Sequence, residues 1–298
     1  MVIKRFSLAA VFALSVMLIL AGCAGSLNHE GQLKTTTLQI QKAVQSELDN
    51  LDRDLSGAAS KLSGTGLSGP EARQILNELC SKHPFIIDSC TTDAAGKMVT
   101  VAPEAYSSYE GTDISTQDPT VKLRETKEPM LSQVFTAVEG MDAVVIMWPI
   151  LSEKGDFIGS ISALFNPKTL LAMVAEPMLK GTGIALNVMQ LDGLNIYDSE
   201  GADTGKNLFT DPSFQPYKEL IELGRRMVAE ESGTGSYTFT SQTTGKTVKK
   251  QAFWVSVGLH GTAWRLVSVQ EVAEVASIVN QRTTPRAYSF ARSSASYK

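Results

Sequence analysis

Residues 142–166 constrain the fold more tightly than any other stretch. Two apolar runs rich in β-branched residues flank the polar turn Ser152-Glu153-Lys154-Gly155-Asp156. That pattern predicts a β-hairpin. The first run, 143–150, shows no alternation of apolar and polar residues, so both its faces are expected to be buried at the centre of a sheet. The second run carries Gly159, Ser160, Ser162 and Ala163. Small residues on a central strand leave room beside the sheet for a helix or a ligand.

A second pattern lies upstream. Leu33, Ile40, Val44, Leu48, Leu51, Leu55, Ala58 and Leu62 recur, after the first gap, at steps of three and four. This is one stripe of a long amphipathic helix, placed at 27–62. Its other face is polar, with Gln39, Gln41, Gln45, Asp49, Asp52 and Arg53. A stripe packed along a sheet fits better than a coiled-coil stalk, because sheet-forming sequence follows. Ser68-Gly69-Pro70-Glu71 opens a second helix, with Ser68 as its expected N-cap and Ala72, Ile75, Leu76 and Leu79 on its buried face. His83-Pro84 stops it, and residues 85–90 read as a strand. Residues 98–101 form another strand, 121–125 a short helix, 129–135 a strand, and Pro167 begins a helix reaching about Glu176.

The first 23 residues read as a leader. Lys4-Arg5 precedes an apolar run from Phe6 to Leu20, 15 residues long, which is short for a membrane-spanning helix. The run ends in Leu20-Ala21-Gly22-Cys23, which resembles the lipobox of prokaryotic lipoproteins. That resemblance implies lipidation of Cys23 and a chain held outside the cytoplasm. An uncleaved N-terminal anchor is the alternative, with the same location. Loss of Lys4 and Arg5 takes the net charge from −4 to −6. A mildly acidic chain without a basic block is not expected to bind nucleic acid. Cys80 and Cys90 then remain, and an even pair outside the cytoplasm is expected to form a disulfide worth about 2–3 kcal/mol. Two separate buried thiols are the alternative. With His29, His83 and His260 as the only histidines, none at ligand spacing, no metal site is expected.

In the second half, 183–190 and 194–197 form a hairpin around Asp192-Gly193. Asp211 is the expected N-cap with Pro212 at the first position, and Tyr217, Leu220, Ile221, Gly224, Met227 and Val228 give the next helix an apolar stripe. Strands follow at 235–240, 248–257 and 262–269, with Gly258-Leu259-His260-Gly261 as the turn between the last two. Residues 271–281 read as a closing helix. The Ser- and Arg-rich 282–298 reads as a disordered tail.

These elements occur in a recognisable order. A long helix comes first, then Gly111-Thr112-Asp113-Ile114-Ser115, then Pro129 with Ser132 and Phe135. An apolar strand ending in Pro149-Ile150 follows, then Gly155-Asp156-Phe157-Ile158-Gly159. Asp192-Gly193, Tyr197-Asp198 and Gly205-Lys206-Asn207-Leu208 come later. This order resembles the double Cache extracellular sensor domains over roughly residues 30–280. The resemblance implies an α+β fold of two PAS-like antiparallel sheets sharing the long N-terminal helix. A membrane-distal lobe is expected at 63–180 and a membrane-proximal lobe at 181–281.

It also implies a small-ligand pocket in the distal lobe. Candidate lining residues are Tyr106, Asp113, Gln117, Ser132, Phe135, Met147 and Trp148, large apolar walls with a few polar groups. Phe135, Met147 and Trp148 as plain core, and Asp113 as a turn cap, are the competing readings. Tyr237, Phe253, Trp254 and Trp264 are expected in the core of the other lobe. Amino-acid-binding members resemble this chain but carry Arg-x-Trp-Tyr where it has Gln117-Asp118-Pro119-Thr120. They carry Asp where it has Leu164. Without those charged anchors a free α-amino acid is not an expected ligand.

The catalytic motifs of hydrolases, metalloproteases and phosphate-binding enzymes are absent, and no cofactor is expected. The expectation is therefore a lipid-tethered binding module, not an enzyme. It would pass its signal to a separate transmembrane kinase, chemoreceptor or transporter. The alternatives are an interaction lipoprotein with no small ligand and, lower still, a carboxylate-dependent hydrolase.

Overall fold

A computed structural model describes residues 9–240 and 245–272, with side chains from residue 30 onward. Helix α1 (Ala9–Thr65) and helix α2 (Pro70–Lys82) lead into β1 (Ile86–Asp93) and β2 (Met98–Ala102). Then come α3 (Asp118–Thr126), β3 (Met130–Leu131), β4 (Phe135–Thr136), β5 (Asp142–Leu151), β6 (Phe157–Phe165) and α4 (Pro167–Leu179). The second lobe contains β7 (Ala185–Gln190), β8 (Asn195–Asp198), α5 (Lys218–Ala229), β9 (Ser232–Thr240), β10 (Thr247–Leu259) and β11 (Thr262–Val272). The first sheet runs β2-β1-β6-β5-β3, with β4 on the edge of β5, and the second runs β8-β7-β11-β10-β9. The pairings within both are antiparallel. The fold is thus α+β, two PAS-like sheets with one N-terminal helix, as expected.

The stripe on α1 explains how one helix serves both sheets. Every apolar residue named in it is at most 5% exposed. Those residues share one continuous core with Ile146, Ile161 and Phe165 of the first sheet and with Phe253, Trp264 and Leu266 of the second. Edges of the helix expected to face water also make contacts. The Gln45 side-chain amide donates to Gly258 O at 2.9 Å and accepts from Gly258 N at 3.1 Å. Asp52 Oδ1 lies 2.7 Å from Trp148 Nε1, which donates to it, and 2.7 Å from His260 Nε2. One carboxylate on the spine therefore touches a strand of the first sheet and the β10–β11 turn of the second. That turn places His260 at φ 50° and Gly261 at φ 81°, the left-handed pair a two-residue hairpin requires.

The central hairpin forms where expected. Its turn closes through Ser152 N to Asp156 O and Gly155 N to Ser152 O, each 2.8 Å. Residues Ala143 to Met147 are all at most 5% exposed. Alternation along the strand sorts the side chains: Val144, Ile146 and Ile150 enter the core beneath α1, and Val145 and Met147 point to the opposite face. Gly159 is required on β6, because a Cβ there would stand 2.0 Å from Thr92 O.

Several local expectations need correction. Cys80 and Cys90 are separate free thiols. Cys80 sits on α2 with Sγ 3.4 Å from Ala102 O, on the α1 side of the sheet. Cys90 alternates to the other side and meets Ser162 Oγ at 3.2 Å, so the sheet itself stands between the two sulfurs. Ser68 does not cap α2; Gly69 occupies that position at φ 94° with no side-chain cap. The strand expected at 129–135 is split into β3 and β4. Between them the Ser132 hydroxyl accepts from Val145 N at 2.9 Å and Val134 N donates to Gln190 Oε1 at 2.6 Å, which draws the chain off β5 towards the second lobe. Glu271 and Val272 extend β11 instead of opening a helix. The remainder of that expected helix, the 282–298 tail and the Cys23 side chain lie outside the described residues.

In the second lobe, Asp211 caps its turn through Ser213 N at 2.9 Å. Arg265, 4% exposed, donates to Met227 O at 2.7 Å, Glu230 O at 3.0 Å and Val228 O at 3.1 Å. A guanidinium thereby satisfies the last carbonyls of α5.

Candidate functional site

The first sheet has two faces, and only one is covered by α1 and α2. The other is roofed by the segments 113–120 and 135–139. The roof is held from below: Ile114 N donates to Gly96 O at 2.9 Å. A Cβ on Gly96 would stand 2.7 Å from Ser115 Cα, so the β1–β2 turn must be glycine for the roof to come this close.

Between sheet and roof lies a cavity of about 30 Å³, space for about two water-sized spheres. Its floor carries Asp88 and Cys90 of β1, Met147 of β5, and Ser162 and Leu164 of β6. The roof contributes Gln117, Thr120, Phe135, Val138 and Glu139. Asp88 is 2% exposed, and its Oδ2 has no hydrogen-bond partner among the described residues. A buried carboxylate in that state resists ionisation. Burial first and the nearby Glu139 charge second push its carboxyl up to about 8. Burial also raises Glu139. The Cys90 thiol is pushed up by burial and by Asp88, so it stays neutral. Among the described residues, no Lys, Arg or His lines the cavity. The site is acidic, small and partly apolar.

Of the residues expected in a pocket, Gln117, Phe135 and Met147 line this cavity. The others do not. Trp148 is the neighbour of Met147 on a strand, so it faces the opposite side, donating to Asp52 and packing edge-on against His260 at 5.9 Å. Asp113 accepts from Ser115 N at 2.9 Å in a local turn. Hydrogen bonds from Ser115 keep its carboxyl below the ordinary value. Ser132 is consumed by Val145 N. Tyr106 stacks on Tyr109 at 6.3 Å and props the cluster under Met98 and Ile114. Asp88 and Glu139 were missed. The signal for Asp88 was present: a carboxylate inside the apolar strand Phe85-Ile86-Ile87-Asp88 is costly unless it has work to do.

A second cavity of about 90 Å³ lies in the other lobe, between β7, β8, β11 and α5. Met189, Met227, Val267, Asn195 and Tyr237 line it. Trp254 and Trp264 are fully buried core, and Phe253 is 6% exposed.

Residues 46–167 match the family model of the HK/GC/Chemotaxis protein-like sensor domain. The stretch runs from mid-α1 through β6 and so contains the acidic cavity. Among solved structures, the chain is 33% identical to an extracellular ligand binding receptor from Desulfohalobium retbaense DSM5692, with a TM-score of 0.69 over 80% of this chain and 40% of that one. The chain thus covers two fifths of that receptor. The periplasmic sensory domain of the Campylobacter jejuni chemoreceptor Tlp1 matches at 11% identity and TM-score 0.56, over 83% of this chain and 95% of that one. The ligand-binding domain of the Pseudomonas aeruginosa PAO1 amino acid chemoreceptor PctC, in complex with GABA, matches at 16% identity and TM-score 0.54, over 82% and 98%. These two show the fold. No curated protein matches the chain.

Proposed function

On the fold of the double Cache extracellular sensor domains, we propose that this chain is a lipid-anchored, extracytoplasmic sensory protein. It binds a small molecule in the cavity of its first, membrane-distal lobe and passes the occupancy to a separate membrane partner. The observation that carries the reading is Asp88: a buried carboxyl under a roof, its Oδ2 without a hydrogen-bond partner among the described residues, in a sensor-domain fold. A polar group left in that state is costly to the protein, and a guest that bonds to it removes the cost. Gln117 and Leu164 line the same cavity, in place of the charged anchors of amino-acid-binding relatives, which supports exclusion of free α-amino acids. The anchor reading rests on Leu20-Ala21-Gly22-Cys23, and a C23A variant should leave the membrane fraction.

A thermal-shift screen of the purified chain against amines, organic acids, sugars and purines tests the binding. A ligand at 100 times its dissociation constant adds about 2.7 kcal/mol and raises the melting temperature. The volume of about 30 Å³ favours one rival, an interaction lipoprotein whose cavity holds only water. Flat responses to every class would establish that rival.

A further inference from the structure

The ligand class can be narrowed from the charges around the cavity; the argument rests on the binding reading above. We infer that the first-lobe cavity takes the ammonium head of a small amine that carries no carboxylate of its own, with Asp88 as its counter-charge and Glu139 at its side.

The cavity holds two carboxyl groups, Asp88 and Glu139, and among the described residues no cationic side chain lines it. An anion would enter a poorly solvated space beside Glu139 and would find no positive partner among the described residues. A zwitterion would satisfy Asp88 with its ammonium and leave its carboxylate unmatched. A neutral guest would leave Asp88 protonated and gain no ion pair. An ammonium brings both charge and donors, and Asp88 Oδ2 is the acceptor waiting for one. Size agrees. The space of about 30 Å³ holds a head group of one or two heavy atoms, and the apolar lining residues Phe135, Val138 and Met147 suit an alkyl remainder.

The charge balance gives this proposal a distinctive readout. The groups facing Asp88 are Glu139 from the roof and Cys90 on its own strand, while Cys80 on α2 feels its charge from across the sheet. Both thiols are held neutral by burial, Cys80 with a value of about 11. With its carboxyl near 8, Asp88 is protonated in the empty protein at pH 7. Binding of R–NH3⁺ ionises it, so one proton leaves for each amine that enters. Affinity therefore rises about tenfold per pH unit below 8 and levels off above it.

Isothermal titration of the full chain with ethylammonium, n-butylammonium, butyrate and 4-aminobutyrate, at pH 6.5, 7.5 and 8.5 in two buffers of different ionisation heat, tests it. The expected result is binding of the two amines alone, about tenfold tighter at pH 7.5 than at 6.5, with release of close to one proton at pH 6.5 that shrinks towards pH 8.5. D88N should weaken the amines at least a hundredfold, and E139Q by a smaller factor. Equal binding of butyrate or of the zwitterion, or pH-independent amine binding without proton release, overturns the inference. If the amines fail but a neutral or anionic compound binds this lobe, the ligand class is wrong and the binding reading survives. If the amines fail and every class in the thermal-shift screen is flat, both fall.

Discussion

Asp88 should imprint itself on the stability of the ligand-free protein. Its carboxyl sits near 8 in the folded chain and near the ordinary Asp value of about 3.9 when unfolded. Between these values the folded state holds a proton that the unfolded state has lost. Stability contributed by this group therefore falls as pH rises, the reverse of a salt-bridged aspartate. Linkage gives about 1.4 kcal/mol per pH unit across the window. Between pH 5 and pH 8 the loss amounts to at most about 3–4 kcal/mol, the flattening near pH 8 included. Other groups titrate too, so the quantity to measure is the difference between wild type and D88N. Urea denaturation at pH 5, 6, 7 and 8 supplies it. The wild-type free energy should drop relative to D88N by a few kcal/mol over that range, most steeply from pH 5 to 7. Parallel curves would mean that Asp88 is ionised in the folded protein and that the picture of a sealed, unpartnered carboxylate is wrong.

Three further outcomes follow from the packing. L48A removes a fully buried side chain from the core shared by both sheets and should cost about 2–5 kcal/mol in urea unfolding; because the core is continuous, Trp148 and the second-lobe tryptophans should report one transition. D52A should cost about 1–3 kcal/mol, since it strips the acceptor from the Trp148 indole and the partner from His260, and near-neutral stability would show that the contact is idle. Thiol titration without reductant should find Cys80 and Cys90 both reactive once the chain is unfolded, whereas in the native state Cys90 should resist because it is buried and its thiol is pushed up; an unreactive pair after unfolding would reinstate the disulfide.

Much of the architecture was legible because its signals are local and periodic. The α1 stripe and the hairpin at 142–166 follow from helical and strand spacing alone. The site was only partly legible, for reasons that particular residues make plain. Met147 and Trp148 are adjacent on a strand, so strand geometry alone forbids both from facing one cavity; choosing between them needed the side on which α1 packs. The sulfurs of Cys80 and Cys90 are close in sequence, yet the register of β1 against β6, with Cys90 opposite Ser162, turns one of them through the sheet. Ser132 looked like a free hydroxyl and proved to be a strand-end acceptor. Asp88 and Glu139 meet only when the roof folds over the sheet, and no spacing announces that.

Sensing by this chain depends on a guest entering the first-lobe cavity, and four methionines can report on it. Met98 and Met147 line that cavity, and Met189 and Met227 line the one in the second lobe. Methyl-labelled methionine spectra of the full chain, recorded while an amine hit from the screen is titrated in, read both cavities at once. Saturable shifts at Met98 and Met147, with Met189 and Met227 unmoved, are the predicted result. Shifts confined to Met189 and Met227 would contradict it and move the binding site to the other lobe.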